Sequence, residues 1–152
     1  MFKITLDDAT ISSRVKSVIG VPDAFLSDST ITSPDFKVQA ETYINDQLSE
    51  IVDNYPEEKK PEQLQTKINV SAIYYICSQL AISMPVRLPI RMENISTKTL
   101  LQTIDWFKFS EEMLGRCNSI LDDILEDEGV ESVLGNTFIA LSDETTYPNA
   151  SI

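Results

Sequence analysis

DWFKFSEEMLGRCNSILDDILED, residues 105–127, is the stretch on which the fold turns. A helix advances about 100° per residue, and at that step the side chains sort cleanly. With two residues from just upstream, Leu100, Ile104, Phe107, Leu114, Leu121 and Leu125 form one apolar strip. Trp106, Phe109, Met113, Cys117, Ile120 and Ile124 form an adjoining one. Asp105, Lys108, Glu111, Glu112, Arg116, Asp122, Asp123 and Glu126 occupy the remaining arc. The spacing predicts one long helix from Thr97 to about Asp127, with Ser96 as its cap and Gly129 as its stop. Two apolar strips are more than the roughly 100° face of an ordinary surface helix. Either the helix is set deeply into a small bundle, or one strip faces a neighbouring chain. Trp106, Phe109 and Met113 are the candidate interface residues, because such types are enriched where proteins meet.

Upstream, prolines sit at the joints of helix-length pieces. A first helix is expected over Ala9–Ile19, capped by Asp8 or Thr10 and closed by Gly20. Ser33-Pro34-Asp35 places a cap, a proline and an acid at a helix start. That helix is expected to reach about Asn54, with Phe36, Ala40, Tyr43, Ile44, Leu48, Ile51, Val52 and Tyr55 on one side. The next runs from Pro61 to Met84. Its stretch 68–86 has nineteen uncharged positions, yet Asn69, Ser71, Ser78, Gln79, Ser83 and Pro85 make it too polar for a membrane span. It reads as a helix buried on all sides. Pro85 to Arg91 is expected to be an extended connector, and Arg87 and Arg91 make it the one compact positive patch, either wrapping the bundle or forming a contact. Strand-like alternation is confined to Phe2–Leu6 and Thr137–Leu141. The expected fold is all-α: a bundle of four to five helices over residues 1–130, with a long final helix. Residues 131–152 follow as a flexible tail or an extended arm.

Composition limits the chemistry. The chain has 152 residues, 42% hydrophobic, and no histidine, which removes the commonest general base and metal ligand. Its two cysteines, Cys77 and Cys117, lie in apolar runs outside any metal-binding spacing and read as buried free thiols. Four scattered glycines build no phosphate-binding loop. No metal site, cofactor or catalytic set is expected. The opening residues, broken by Asp7 and Asp8, do not resemble a signal peptide, so synthesis in the cytoplasm is expected.

The net charge of −12 argues against gripping nucleic acid or an anionic membrane. Its placement is uneven: residues 105–152 carry −9 and residues 1–104 carry −3. Asp122 to Glu131 hold six acids and no base in ten positions, at the helix end where cations would be favoured. This is either a solvated face or a surface that must remain negative.

The order and length of the elements resemble the head–tail connector proteins of tailed bacteriophages, also called adaptor or head-completion proteins. The residues that carry the resemblance are Arg14-Val15-Lys16-Ser17-Val18-Ile19-Gly20-Val21-Pro22-Asp23 and the helix containing Gln39-Ala40-Glu41-Thr42-Tyr43-Ile44, followed by an apolar middle helix and a long last one. The resemblance implies a virion structural protein of the neck, without an active site or cofactor. It implies a ring, usually twelvefold, that extends the DNA channel, with the portal protein and a tail-side stopper or terminator as partners. It also implies portal docking by a C-terminal segment, here Phe138, Ile139, Ala140 and Leu141. DNA would pass without being held, and Asp105, Glu112, Asp123 and Glu126 are the acids expected to face it. Alternatives are an acidic binding module such as a DNA-mimic inhibitor, another helical adaptor, or a small helical enzyme.

Overall fold

A computed structural model describes residues 1–21, 26–55, 61–87 and 104–129. These residues form an all-helical bundle without strands. Helix α1 spans Asp8–Ile19, the single turn α2 spans Asp28–Ile31, and α3 spans Pro34–Gln47. A 3-10 turn follows at Val52–Asn54. The two long helices are α4, Glu62–Arg87, and α5, Trp106–Asp127.

The helix ends show why the chain breaks where it does. Asp7, not Asp8 or Thr10, caps α1 by accepting from the Thr10 N–H at 2.9 Å. Gly20 closes α1 at φ 69°, a left-handed conformation that an L side chain resists. Proline begins α3 as expected, although Ser33 makes no side-chain capping bond. That helix stops at Gln47 rather than near Asn54. From Leu48 the backbone tightens into three-residue turns, with Ile51 N–H donating to the Leu48 carbonyl at 3.0 Å. The tightening keeps both Leu48 and Ile51 buried. Of the face expected on this segment, Ala40, Ile44, Leu48 and Ile51 are core, while Phe36, Tyr43, Val52 and Tyr55 pack at its edge.

Pro85 lies inside α4, and the helix continues to Arg87. The segment from Pro85 to Arg87 is therefore helical, not extended. A proline in the last turn keeps a helical φ and forfeits one bond, a smaller loss than in mid-helix, where following turns depend on it. The start of α5 is also later than expected. Asp105, not Ser96, is its cap: the carboxylate accepts from the Lys108 N–H at 3.1 Å. Residues 97–103 lie outside the described residues.

Helix α4 is the centre of the bundle and touches α1, α3 and α5. Its most extensive partner is α5, which runs antiparallel to it. Lys67, near the start of α4, pairs with Asp127 at the end of α5 at 2.7 Å, and the Ser110 hydroxyl donates to the Ser78 carbonyl at 2.8 Å. Ile68, Ala72, Ile76, Cys77, Leu80, Ala81 and Met84 of α4 meet Met113, Cys117, Leu121 and Ile124 of α5 in a common core. Two polar residues of α4, Ser71 and Ser78, are buried without cost to the core because each donates to its own helix, to Ile68 O and Tyr75 O. No helix among the described residues is long and apolar enough to cross a membrane.

Residues 2–5 contribute a piece of core without joining a helix. Phe2 and Ile4 are buried and Lys3 and Thr5 exposed, so the alternation seen in the sequence is that of an extended strap. A clasp holds the next corner: Lys16 pairs with Asp28 at 2.6 Å, and the Ser12 hydroxyl also donates to Asp28. The Lys16 and Ser12 bonds hold the Asp28 carboxyl below its ordinary range.

Candidate functional site

The surface of α5 carries the candidate site, and its sides differ sharply. The strip expected as an interface is mostly core. Trp106 is 5% exposed and Met113 3%, with Cys117 and Ile124 beside them. Phe109 is half-buried and meets Trp106 edge-on, with ring centroids 5.8 Å apart. Trp106 and Met113 therefore cannot serve as contacts for a second chain without opening the bundle. Apolar size favours burial in either setting, and here α4 covers these residues.

The other strip divides along its length. Phe107, Leu114, Asn118 and Leu125 lie within about 40° of one another on the helix. Leu125 is buried, and Asn118 accepts from the Tyr43 hydroxyl of α3 at 2.6 Å. Tyr43 also stacks on Tyr75 of α4, at 4.8 Å between centroids. Further toward the start of α5 this cover thins. Leu114 is half-buried, Phe107 is 64% exposed and Ile104 36% exposed. At the same end of the α4–α5 pair, Ile82 and Val86 are exposed as well.

The acids also divide. Glu112, Asp123 and Glu126 are exposed on one arc about 60° wide, spread over about 21 Å of helix axis. Asp105 is exposed as well, and its carboxylate caps the helix. The crowded C-terminal acids are partly tied down. Lys67 pairs with Asp127, and the Tyr55 hydroxyl donates to Glu128. Accordingly the Lys67 ammonium is pushed above its ordinary value, chiefly by Asp127, and the Tyr55 hydroxyl is pushed up by Glu128. Two of the crowded acids, Asp127 and Glu128, thus have partners on other elements, and Glu131 lies outside the described residues.

Both cysteines are free and buried, as expected. Burial pushes each thiol up to about 12, so neither is a nucleophile near neutral pH. Among the described residues no group of three or more His, Cys, Asp or Glu side chains is placed to hold a metal. A shallow cavity of about 200 Å³ opens between the start of α4 and the end of α5, lined by Pro61, Leu64, Lys67, Ile124 and Asp127 among others. Of its ionic groups Lys67 and Asp127 pair with each other, and Glu128 accepts from the Tyr55 hydroxyl. Arg87 is the last residue of α4. Arg91 and Phe138, Ile139, Ala140 and Leu141 lie outside the described residues.

The roles that sequence reasoning missed are those of polar side chains that reach across the fold. Tyr43 and Asn118 tie α3 to α5, and Glu41, Asn45, Gln65 and Asn69 hold the strap. Periodicity singles out apolar faces and gives no sign of which amide will find a distant partner. No protein-family model, curated protein or solved structure matches this chain.

Proposed function

We propose that the protein is a structural connector subunit rather than an enzyme. In this reading copies assemble side by side into a ring that adjoins a phage portal and extends its DNA channel. The observation that carries the reading is the surface of α5, which leaves an apolar flank at Phe107 and Ile104 and an acidic arc at Glu112, Asp123 and Glu126 both unburied. An exposed phenylalanine beside Ile104 is costly to leave in water and gains from a neighbouring copy. Carboxylates directed at a passing duplex repel phosphate, so DNA slides rather than sticks. Arg87 and Arg91 would meet a neighbour's acids, and residues 138–141 would dock the portal. The tail-side partner would be a stopper or terminator, and the place of work the neck of the virion.

Light scattering on the chain with the portal ring of the same virus tests this directly. A co-eluting complex of ring stoichiometry is expected, and Phe107→Ser should weaken it while leaving the helical content intact. Failure to join the portal overturns the reading. Inhibition of a DNA-binding enzyme by the monomer would favour an acidic DNA mimic instead.

A further inference from the structure

The strap at residues 2–5 belongs to no helix and no sheet. Two helices supply the partners that a sheet would. From α3, Asn45 accepts the Phe2 N–H through Oδ1 at 2.7 Å and donates to the Phe2 carbonyl through Nδ2 at 2.8 Å. One turn away Glu41 Oε1 accepts the Ile4 N–H at 3.0 Å. From α4, Gln65 Nε2 donates to the Lys3 carbonyl at 2.9 Å, and Asn69 Oδ1 accepts the Thr5 N–H at 3.1 Å. The Asn69 amide also donates to the Thr5 hydroxyl at 3.0 Å.

The pattern is that of a strand read from both edges. In extended backbone, the N–H and C=O of one residue point to one side and those of the next residue to the other. Groups of Phe2 and Ile4 point to α3, and groups of Lys3 and Thr5 point to α4. The two helices present their partners as i,i+4 pairs, Glu41 with Asn45 and Gln65 with Asn69, so each pair lies on one helix face. Phe2 and Ile4 fill the floor between them and are buried. The slot is therefore a receptor for four residues of extended chain, positions 2–5, with apolar side chains at alternate positions.

We propose that this α3–α4 slot accepts the strap of a second copy, so that the strap is an exchangeable arm between subunits. Its identity as occupant is on view, because an identical segment from a neighbour would make each of these bonds. The joint that must move is short: Leu6 and Asp7 separate the strap from α1, and Asp7 is extended at φ −73°, ψ 160°. Strap and joint together, residues 2–7, reach about 20 Å when extended. Equal contacts in both arrangements leave concentration and hinge strain to decide between them, which is the condition for domain swapping. Passed in one direction, such an arm makes a head-to-tail contact that generates a ring if its rotation closes. This rests on the reading that copies assemble, but its test requires no portal.

Two full-length variants separate the halves of the contact. Phe2→Ala/Ile4→Ala weakens the strap and keeps the slot. Asn45→Ala/Asn69→Ala weakens the slot and keeps the strap. A fluorescent peptide of residues 1–8 should bind the strap-weakened chain at least about tenfold more tightly than wild type, whose slot is occupied. A peptide with aspartate at positions 2 and 4 should not bind. Mixing the two variants should then raise the melting temperature of the strap-weakened chain and yield a one-to-one complex by light scattering. If the strap-weakened chain is unfolded alone, peptide-dependent refolding replaces the binding readout. Absence of peptide binding or refolding overturns the receptor slot. Peptide binding without complementation by the second chain overturns exchange between copies. Either result leaves a portal complex, if one forms, to be explained by α5.

Discussion

Helices α4 and α5 are similar in length and packed against each other, yet they solve opposite problems. Helix α4 is touched by α1, α3 and α5, so it has little free surface and carries apolar residues on several sides. Among the described residues helix α5 has α4 on one side, while the Tyr43 hydroxyl of α3 reaches its flank and the Tyr55 hydroxyl its C-terminal end. It therefore divides into a buried strip, a half-covered flank and a charged arc. A helix in the middle is specified by what it lacks, and a helix at the edge by how its faces differ. Substitutions should follow that division: on α4 they act on stability, and on the outer sides of α5 they act on association.

The largest effect should come from Leu80, which is fully buried in α4. Leu80→Ala should cost about 2–5 kcal/mol, read from the urea midpoint. A cost below 1 kcal/mol would mean that α4 is not the centre of the fold. The shared face of the two helices should show itself in alkali. Each native thiol titrates only near 12, against about 9 when exposed. The unfolded chain thus releases these protons first, and stability is complete below pH 9 and falls as the pH rises from 9 toward 12. The slope is about 1.4 kcal/mol per pH unit for each thiol. Cys77→Ala/Cys117→Ala should flatten that slope in thermal melts, and an unchanged slope would place the thiols nearer to water.

Smaller effects distinguish the faces of α5. The Trp106 indole N–H is buried and has no hydrogen-bond partner among the described residues. Trp106→Phe removes that unsatisfied donor along with some packing, and the two changes oppose each other. The net should be within about 1 kcal/mol, read from the urea midpoint. Phe107→Ser should alter stability by no more than about 0.5 kcal/mol while reducing self-association in sedimentation. The combination Glu112→Gln, Asp123→Asn and Glu126→Gln should be equally quiet in melts. It should increase retention of the chain on duplex DNA at low salt, and no change in retention would separate these acids from any role beside DNA.

What could be read in the sequence follows the same division. The strips of α5 were legible because α5 has contrasting sides, and Gly20, Pro34 and Gly129 marked ends through backbone geometry that few residues tolerate. Which apolar strip is core was not legible. Trp106 and Phe107 are neighbours of similar character, and only the position of α4 separates them. Likewise Asp105 looked like one more acid on an arc, although a carboxylate just before a helix is also an N-cap. The ends of α3 and α4 were missed for different reasons: Leu48 and Ile51 are drawn into the core by tightened turns, and α4 tolerates Pro85 because it falls in the last turn. The contacts of Tyr55, Lys67 and Asn69 join residues about sixty or more positions apart, beyond any local pattern.

The strap has a consequence for amide hydrogen exchange. The N–H groups of Phe2, Ile4 and Thr5 belong to no helix or sheet, and each is held by a side-chain oxygen. Their exchange with deuterium should be slow, on a par with helical amides rather than with a frayed terminus. Protection there would be governed by the side chains of positions 41, 45 and 69, so a single Asn45→Ala change should release the Phe2 amide while the amides of α3 itself remain slow.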